Sequence, residues 1–175
     1  MTGDALPFCG PQYLWMLGLL FFGRGMDFFS TWVATPNLVL EGNPLAKKLG
    51  WKLGSIVNLI LCLVLAFWQT SAIVVAVASV LVAAHNFHSA WLMRSMGEEA
   101  FRHWFFERIT ETRLPLYILC LLGETVLTGL IGAGVMACTA MDSAAFAVGS
   151  GIVSYALIVL FYTSLSLWRL RRALR

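Results

Sequence analysis

From Leu53 to Met93 the chain runs 41 residues without one Asp, Glu, Lys or Arg. As a single helix rising about 1.5 Å per residue, this stretch would be a rod of roughly 60 Å, twice the hydrocarbon core of a bilayer. It must therefore turn, and Gln69-Thr70-Ser71 is its most polar break. Two spans follow, 53–68 and 72–93. Around them the same pattern recurs, with a first span at 13–34, interrupted by Arg24 and Asp27, a fourth at 115–138 containing Glu124, and a fifth at 143–168 without a charge. The expected fold is an all-α membrane bundle of five transmembrane helices in one domain covering 1–175.

Composition agrees. The apolar fraction is 59%, the charged fraction 12% and the mean hydropathy +0.80, against about 45–50% apolar and about 25% charged in soluble domains. A chain this poor in charge cannot cover a water-facing surface. The excess of +3 charges is small, and no basic tract suggests nucleic-acid binding. The lipid bilayer is the expected surrounding, and the cell membrane of a bacterium or archaeon the expected location. The first ten residues carry Asp4 and no Lys or Arg, unlike a signal peptide, so the first apolar run is expected to be retained.

The placement of the basic residues sets an orientation. Lys47, Lys48 and Lys52 follow the first span, Arg94, Arg102, Arg108 and Arg113 follow the third, and Arg169, Arg171, Arg172 and Arg175 follow the fifth. All but Arg24 fall on one side, which the positive-inside rule makes cytoplasmic. The N-terminus is then outside and the C-terminus inside. Within the cytoplasmic connection, 97–112 reads as an interfacial amphipathic helix. Phe101, Trp104, Phe105 and Ile109 share one face, and Glu98–Arg102 forms an i,i+4 pair. His103 lies on its solvated side.

Polar residues inside the spans fall at a common level. Asp27, His85, His88 and Glu124 each lie roughly 9–14 Å from the inner interface at about 1.5 Å per residue. A charge at the centre of a membrane helix costs about 2.5–3.5 kcal/mol on insertion scales, so such groups are expected to meet. Arg24, Asp27 and Thr31 share a face of the first span, His85, His88 and Ser89 one of the third, and Glu124 and Thr128 one of the fourth. Asn58 projects at a shallower level. The structural alternatives are an isolated intrahelical Arg24–Asp27 pair, a protonated Glu124 bonded to a neighbouring helix, and histidines that only pack. The i,i+3 spacing of His85 and His88 can direct both rings to one divalent ion with Asp27 or Glu41 as oxygen donors, a weaker signal than H-E-x-x-H.

The stretch Glu41-Gly42-Asn43-Pro44 reads first as a helix start, with Asn43 as N-cap, Pro44 at the first helical position and Gly42 turning the chain. That account merely tolerates Glu41. Asp27, Ser30-Thr31 and Glu41-x-Asn43-Pro44 together resemble the D…T-T…E-x-N-P pattern of a group of small uncharacterised membrane proteins, domain-of-unknown-function family 5658. The resemblance covers about a fifth of the chain, and Ser30 stands where that pattern has its first Thr. It implies that Asp27, Glu41 and Asn43 act as one unit, without naming a chemistry. Glu98-Glu99 with Arg102 is one residue short of the E-E-x-x-x-R of prenyl-protein proteases. Arg24–Asp27 matches the G-x-G-D of prepilin peptidases only loosely, with no second intramembrane aspartate.

Three functions follow from these residues. The first is a polar chamber in the cytoplasmic leaflet that binds a metal ion, another ion or a proton through Asp27, Glu41, His85, His88 and Glu124, supported by Arg24, Thr31, Asn43 and Asn58. The second is a non-catalytic subunit or scaffold, whose buried polar groups only bond between helices. The third is a metal-dependent intramembrane hydrolase or transferase. Bis-histidine haem has little support, because both histidines occupy one helix. Small-residue patterns (Gly50/Gly54, Ala145/Gly149, Ser150/Ser154, and Gly129, Gly132 and Gly134) offer surfaces for close helix contact, within the chain, in a homo-oligomer or with a membrane-protein partner. The cysteines form no C-x-x-C, and their placement allows a Cys9–Cys138 disulfide while Cys62, Cys120 and Cys138 lie in apolar runs.

Overall fold

A computed structural model describes residues 5–173, with the backbone alone at 170, 171 and 173. Asp4 and Arg175 lie outside the described residues, as does the side chain of Arg171, so the expectation of a retained first run and part of the basic tail fall there. The described chain is all-helical: α1 (Pro11–Ala34), α2 (Pro44–Leu65), α3 (Gln69–Met96), α4 (Glu98–Glu111), α5 (Leu114–Ala137) and α6 (Ala144–Ala173). Proline opens α1, α2 and α5 in the first turn, where its fixed φ suits the helix and its missing N–H costs nothing.

Four of these helices, α2, α3, α5 and α6 as far as Arg169, are long and apolar enough to cross a membrane. The 24-residue α1 is not among them, because Arg24 and Asp27 lower its hydropathy. α4 fills the place of the expected interfacial helix, with Phe101 buried and Trp104 and Phe105 exposed.

α1, α3, α6 and α5 pack in that order as a layer, while α2 touches α1 and α3 only lightly and α4 leans on α3. Each seam of the layer has a glycine at its closest approach. A Cβ on Gly23 of α1 would stand 2.9 Å from the Ala76 carbonyl oxygen of α3. A Cβ on Gly151 of α6 would stand 2.8 Å from Val77 Cβ of α3. At α5/α6, Cβ atoms on Gly132 and Gly149 would each stand 2.7 Å from the other's carbonyl oxygen. The buried set is rich in alanine, while Phe21, Phe22, Ile56, Leu119 and Leu130 point outward. Small residues inside and large apolar ones outside suit a bundle packed by dispersion and surrounded by lipid.

Several expectations are corrected at this level. The reverse turn between α2 and α3 uses Ala66–Trp68, not Gln69–Ser71, which form the first turn of α3. A polar triplet serves a helix start as well as a loop, because the first turn leaves N–H groups unpaired. Leu6 N–H donates to the Phe67 carbonyl at 2.8 Å, and the buried Tyr13 hydroxyl donates to the Leu63 carbonyl at 3.1 Å, so the N-terminal segment and α1 tie this turn down.

α2 starts at Pro44 but is not continuous. Gly50 breaks it at φ 64° and ψ −173°, a conformation that glycine tolerates and other residues rarely do. Of the Gly50/Gly54 pattern, Gly50 is thus a kink that meets nothing within 4 Å, while Gly54 is buried against the Phe28 ring of α1. Ala145 is exposed, and Ser150 and Ser154 spend their hydroxyls on their own helix, at the carbonyls of Phe146 and Ser150. Gly132 and Gly149 consume each other within the chain. All four cysteines are free: Cys62 is buried, while Cys9, Cys120 and Cys138 are exposed, so Cys9 and Cys138 do not pair.

Candidate functional site

Between the α1/α3/α6 layer and α2 lies a cavity of about 690 Å³, closed at one end by the α1–α2 connection. α2 and α6 face it from opposite sides and are not a packed pair. Its wall includes Arg24, Asp27 and Thr31 of α1, Glu41 and Asn43 of the connection, Asn58 of α2, His85 of α3 and Tyr155 of α6. Seven of the nine residues singled out in the sequence therefore line one space: all but His88 and Glu124.

Arg24 organises the deep end. Its NH1 donates to Asp27 Oδ2 at 2.9 Å and to Ser79 Oγ at 3.2 Å, and Nε donates to Asn58 Oδ1 at 2.6 Å. NH2 donates to the same Asn58 oxygen. Asn58 is held in turn by its own Nδ2, which donates to the Gly54 carbonyl at 2.8 Å. One guanidinium thereby joins α1, α2 and α3. The Arg24–Asp27 contact is the expected i,i+3 pair, 26% and 18% exposed, but it is not isolated. One turn on, Asn86 Nδ2 of α3 donates to Ser30 Oγ at 3.2 Å and Thr31 Oγ1 at 3.3 Å. Ser30 itself donates to the Asp27 carbonyl at 2.9 Å.

The connection forms the other end. Asn43 Oδ1 accepts from the Leu45 amide at 3.0 Å, as an N-cap should, and Glu41 Oε1 accepts from the Asn43 amide at 2.7 Å. The Glu41 carboxylate thus fixes the capping residue from behind. Burial raises its pKa above the usual range, against the Asn43 amide, and the nearby charge of Asp27 raises it further. Gly42 does not have the positive φ expected of a turning glycine. Within this connection Leu38 does, at 57°.

Glu98 is an unforeseen member of the assembly. Rather than pairing with Arg102, which instead approaches Glu99 at 3.5 Å, it reaches back to residues 35–39. Oε2 accepts from Thr35 Oγ1 at 2.7 Å and the Val39 amide at 3.0 Å. Oε1 accepts from the amide and side chain of Asn37 at 2.9 and 3.0 Å. Burial opposes the charge, but the four donors outweigh it and hold the carboxyl below its ordinary value of 4.5. This stabilisation is complete above about 4.5 and is lost as pH falls through the lower folded-state value. Glu98→Gln should therefore speed hydrogen exchange of the Asn37 and Val39 amides about 10-fold at neutral pH, as expected for losing a charged acceptor. Acidification should lower the wild-type protection of these amides, taken relative to the intrinsic exchange rate at each pH, until the two proteins match. Equal exchange at neutral pH would show that Glu98 does not hold the connection.

His85 and Glu124 meet at the rim. His85 Nδ1 lies 3.5 Å from Glu124 Oε1, both about half exposed at 49% and 46%, and the His85 ring lies edge-on to Tyr155 with centroids 6.5 Å apart. Glu124 thus reaches the site through His85 without lining the cavity. His88 is exposed and faces elsewhere. Among the described residues no three His, Cys, Asp or Glu side chains gather around one point where a metal ion could sit. The set Asp27, Glu41, His85, His88 and Glu124 is accordingly split between cavity, rim and outer surface.

Ser79 and Asn86 were not singled out in the sequence, although a signal existed. They stand seven apart, and so on one face of the helix, and the second is adjacent to His85. Glu98 carried no such signal, since 59 to 63 residues separate it from its partners.

Fold and site together define an all-helical chain with several helices fit to cross a membrane and a polar cavity among them. Comparison with protein families, with curated proteins and with solved structures found no match.

Proposed function

We propose that this is a five-span membrane protein, N-terminus outside and C-terminus cytoplasmic, whose cavity in the cytoplasmic half binds a small molecule with a polar end. Four apolar helices support the membrane location. α1 joins them as a fifth span because its Arg24–Asp27 pair is neutralised and hydrogen-bonded to α2 and α3. The observation that carries the binding role is the cavity of about 690 Å³ with polar side chains from α1, α2 and α3 at its wall. That volume falls within the roughly 300–1,000 Å³ of small-molecule clefts and far exceeds what a bare ion or a proton needs. The position of Asp27 and Glu41 on the same wall also supports the linked Asp27/Glu41/Asn43 unit suggested by the family resemblance.

A second reading, a non-catalytic scaffold, is favoured by one fact: among the described residues no buried side-chain nitrogen or oxygen lacks a hydrogen-bond partner. Accessibility separates the two. In a cysteine-free background, Thr31→Cys should react with a membrane-impermeant thiol reagent from the cytoplasmic side only, and Val57→Trp, placed in the cavity wall, should slow the reaction. A thiol unreactive from both sides would favour the scaffold. In the wild-type protein the exposed Cys9 should label from outside intact cells, and labelling only after permeabilisation would reverse the orientation.

A further inference from the structure

We infer that the cavity takes an organic cation, its ammonium or guanidinium group between Asp27 and Glu41 and its apolar body against Phe28 and Trp51. This rests on the binding role proposed above and adds the charge of the ligand.

The charged groups of the cavity wall are unbalanced, with two carboxylates, Asp27 and Glu41, against one guanidinium. Among the described residues Arg24 is the one Arg or Lys in that wall, and its Nε, NH1 and NH2 are all committed to Asn58, Asp27 and Ser79. It is a poor candidate for holding an anion. Lys47 lies outside the wall and donates to the Val39 carbonyl at 3.3 Å. Against this, the hydrogen bonds of the described residues engage only Oδ2 of Asp27 and Oε1 of Glu41, leaving Oδ1 and Oε2 to accept. Two carboxylates thus face one guanidinium that is already shared. His85 does not redress the balance, because its Nδ1 faces Glu124. A cation placed between the carboxylates would relieve the opposition that burial and the Asp27 charge create at Glu41.

The apolar part of the wall suits the same ligand. Phe28 and Trp51 meet edge to face, centroids 6.0 Å apart, and Trp51 is pinned by its Nε1–H, which donates to the Pro36 carbonyl at 2.8 Å. A fixed aromatic corner beside free carboxylate oxygens is a setting in which cations bind through both ring faces and charge-assisted hydrogen bonds.

The test uses three probes of equal chain length, decylammonium, decanol and decyl sulfate, with the full chain in zwitterionic lipid nanodiscs. Binding to Val57→Trp nanodiscs is subtracted as bilayer partition. Decylammonium should bind about 10-fold tighter than decanol, the worth of one charge-assisted hydrogen bond, and decyl sulfate should bind weakest. Glu41→Gln and Asp27→Asn should each remove most of the ammonium preference, read as the ratio of decylammonium to decanol affinity within the same variant. The ranking among probes is read on the wild-type protein, so it stands even if a variant fails to fold. Decyl sulfate binding as tightly as decylammonium would overturn the charge assignment and leave the cavity reading intact, as would a preference that survives both substitutions. Binding of none of the three above the blocked cavity would overturn both.

Discussion

Replacing Arg24 by methionine is expected to destabilise the protein by about 3–5 kcal/mol, the usual cost of leaving a buried charge without its partner. Asp27, only 18% exposed, would lose its counterion, and Asn58 and Ser79 would lose their donor at the junction of α1, α2 and α3. The double variant Arg24→Met/Asp27→Leu should recover much of that loss, because neither charge then has to be kept away from water. Denaturant titration of the purified protein in bicelles measures both. Equal destabilisation of the single and double variants would show that the cost comes from lost packing and that the ion pair is not what joins the three helices.

The second large effect is expected at the α5/α6 seam. Gly132→Val and Gly149→Val each place a side chain where a Cβ alone would stand 2.7 Å from the facing carbonyl oxygen. Relief requires the two helices to separate, and overpacking of this kind costs about 1–3 kcal/mol or more. The two glycines touch each other, so the double variant should lose less than the sum of the singles. Gly134→Ala is the control: a Cβ there meets nothing within 4 Å, and its effect should stay within about 0.5 kcal/mol. The same unfolding titration reads all four proteins. A control as damaging as Gly132→Val would point to helix propensity or lipid contact rather than to the seam.

The two effects differ in how far the sequence announces them. Arg24 and Asp27 stand out as charges three apart in an apolar run, and the cost of isolated charge in lipid requires that they find partners. That reasoning brought Asn58 into view. It could not select Ser79, Asn86 or Glu98, because hydroxyls, amides and a carboxylate at a helix start are unremarkable until a neighbour is known. The glycines show the converse. Gly129, Gly132, Gly134 and Gly149 look alike along the chain, yet only Gly132 and Gly149 meet backbone to backbone. Gly50, which reads as half of a packing motif, is where α2 kinks.

Hydropathy determined the helical class and the number and approximate limits of the helices, and capping chemistry the Asn43–Pro44 helix start, whereas the two-faced character expected of 97–112 is weak in α4. Each of these depends on one residue's immediate neighbours and on the cost of carrying charge or an unpaired amide into an apolar medium, and both are local properties. The tertiary structure decided which polar residues meet. A common depth placed Asp27, His85, His88 and Glu124 at one level, but depth leaves the rotation of each helix about its axis open. That rotation is set by where glycine and alanine let backbones touch. It turned Asp27 and His85 towards the cavity, left Glu124 at its rim and sent His88 outward, while Glu41 reaches the cavity from the α1–α2 connection.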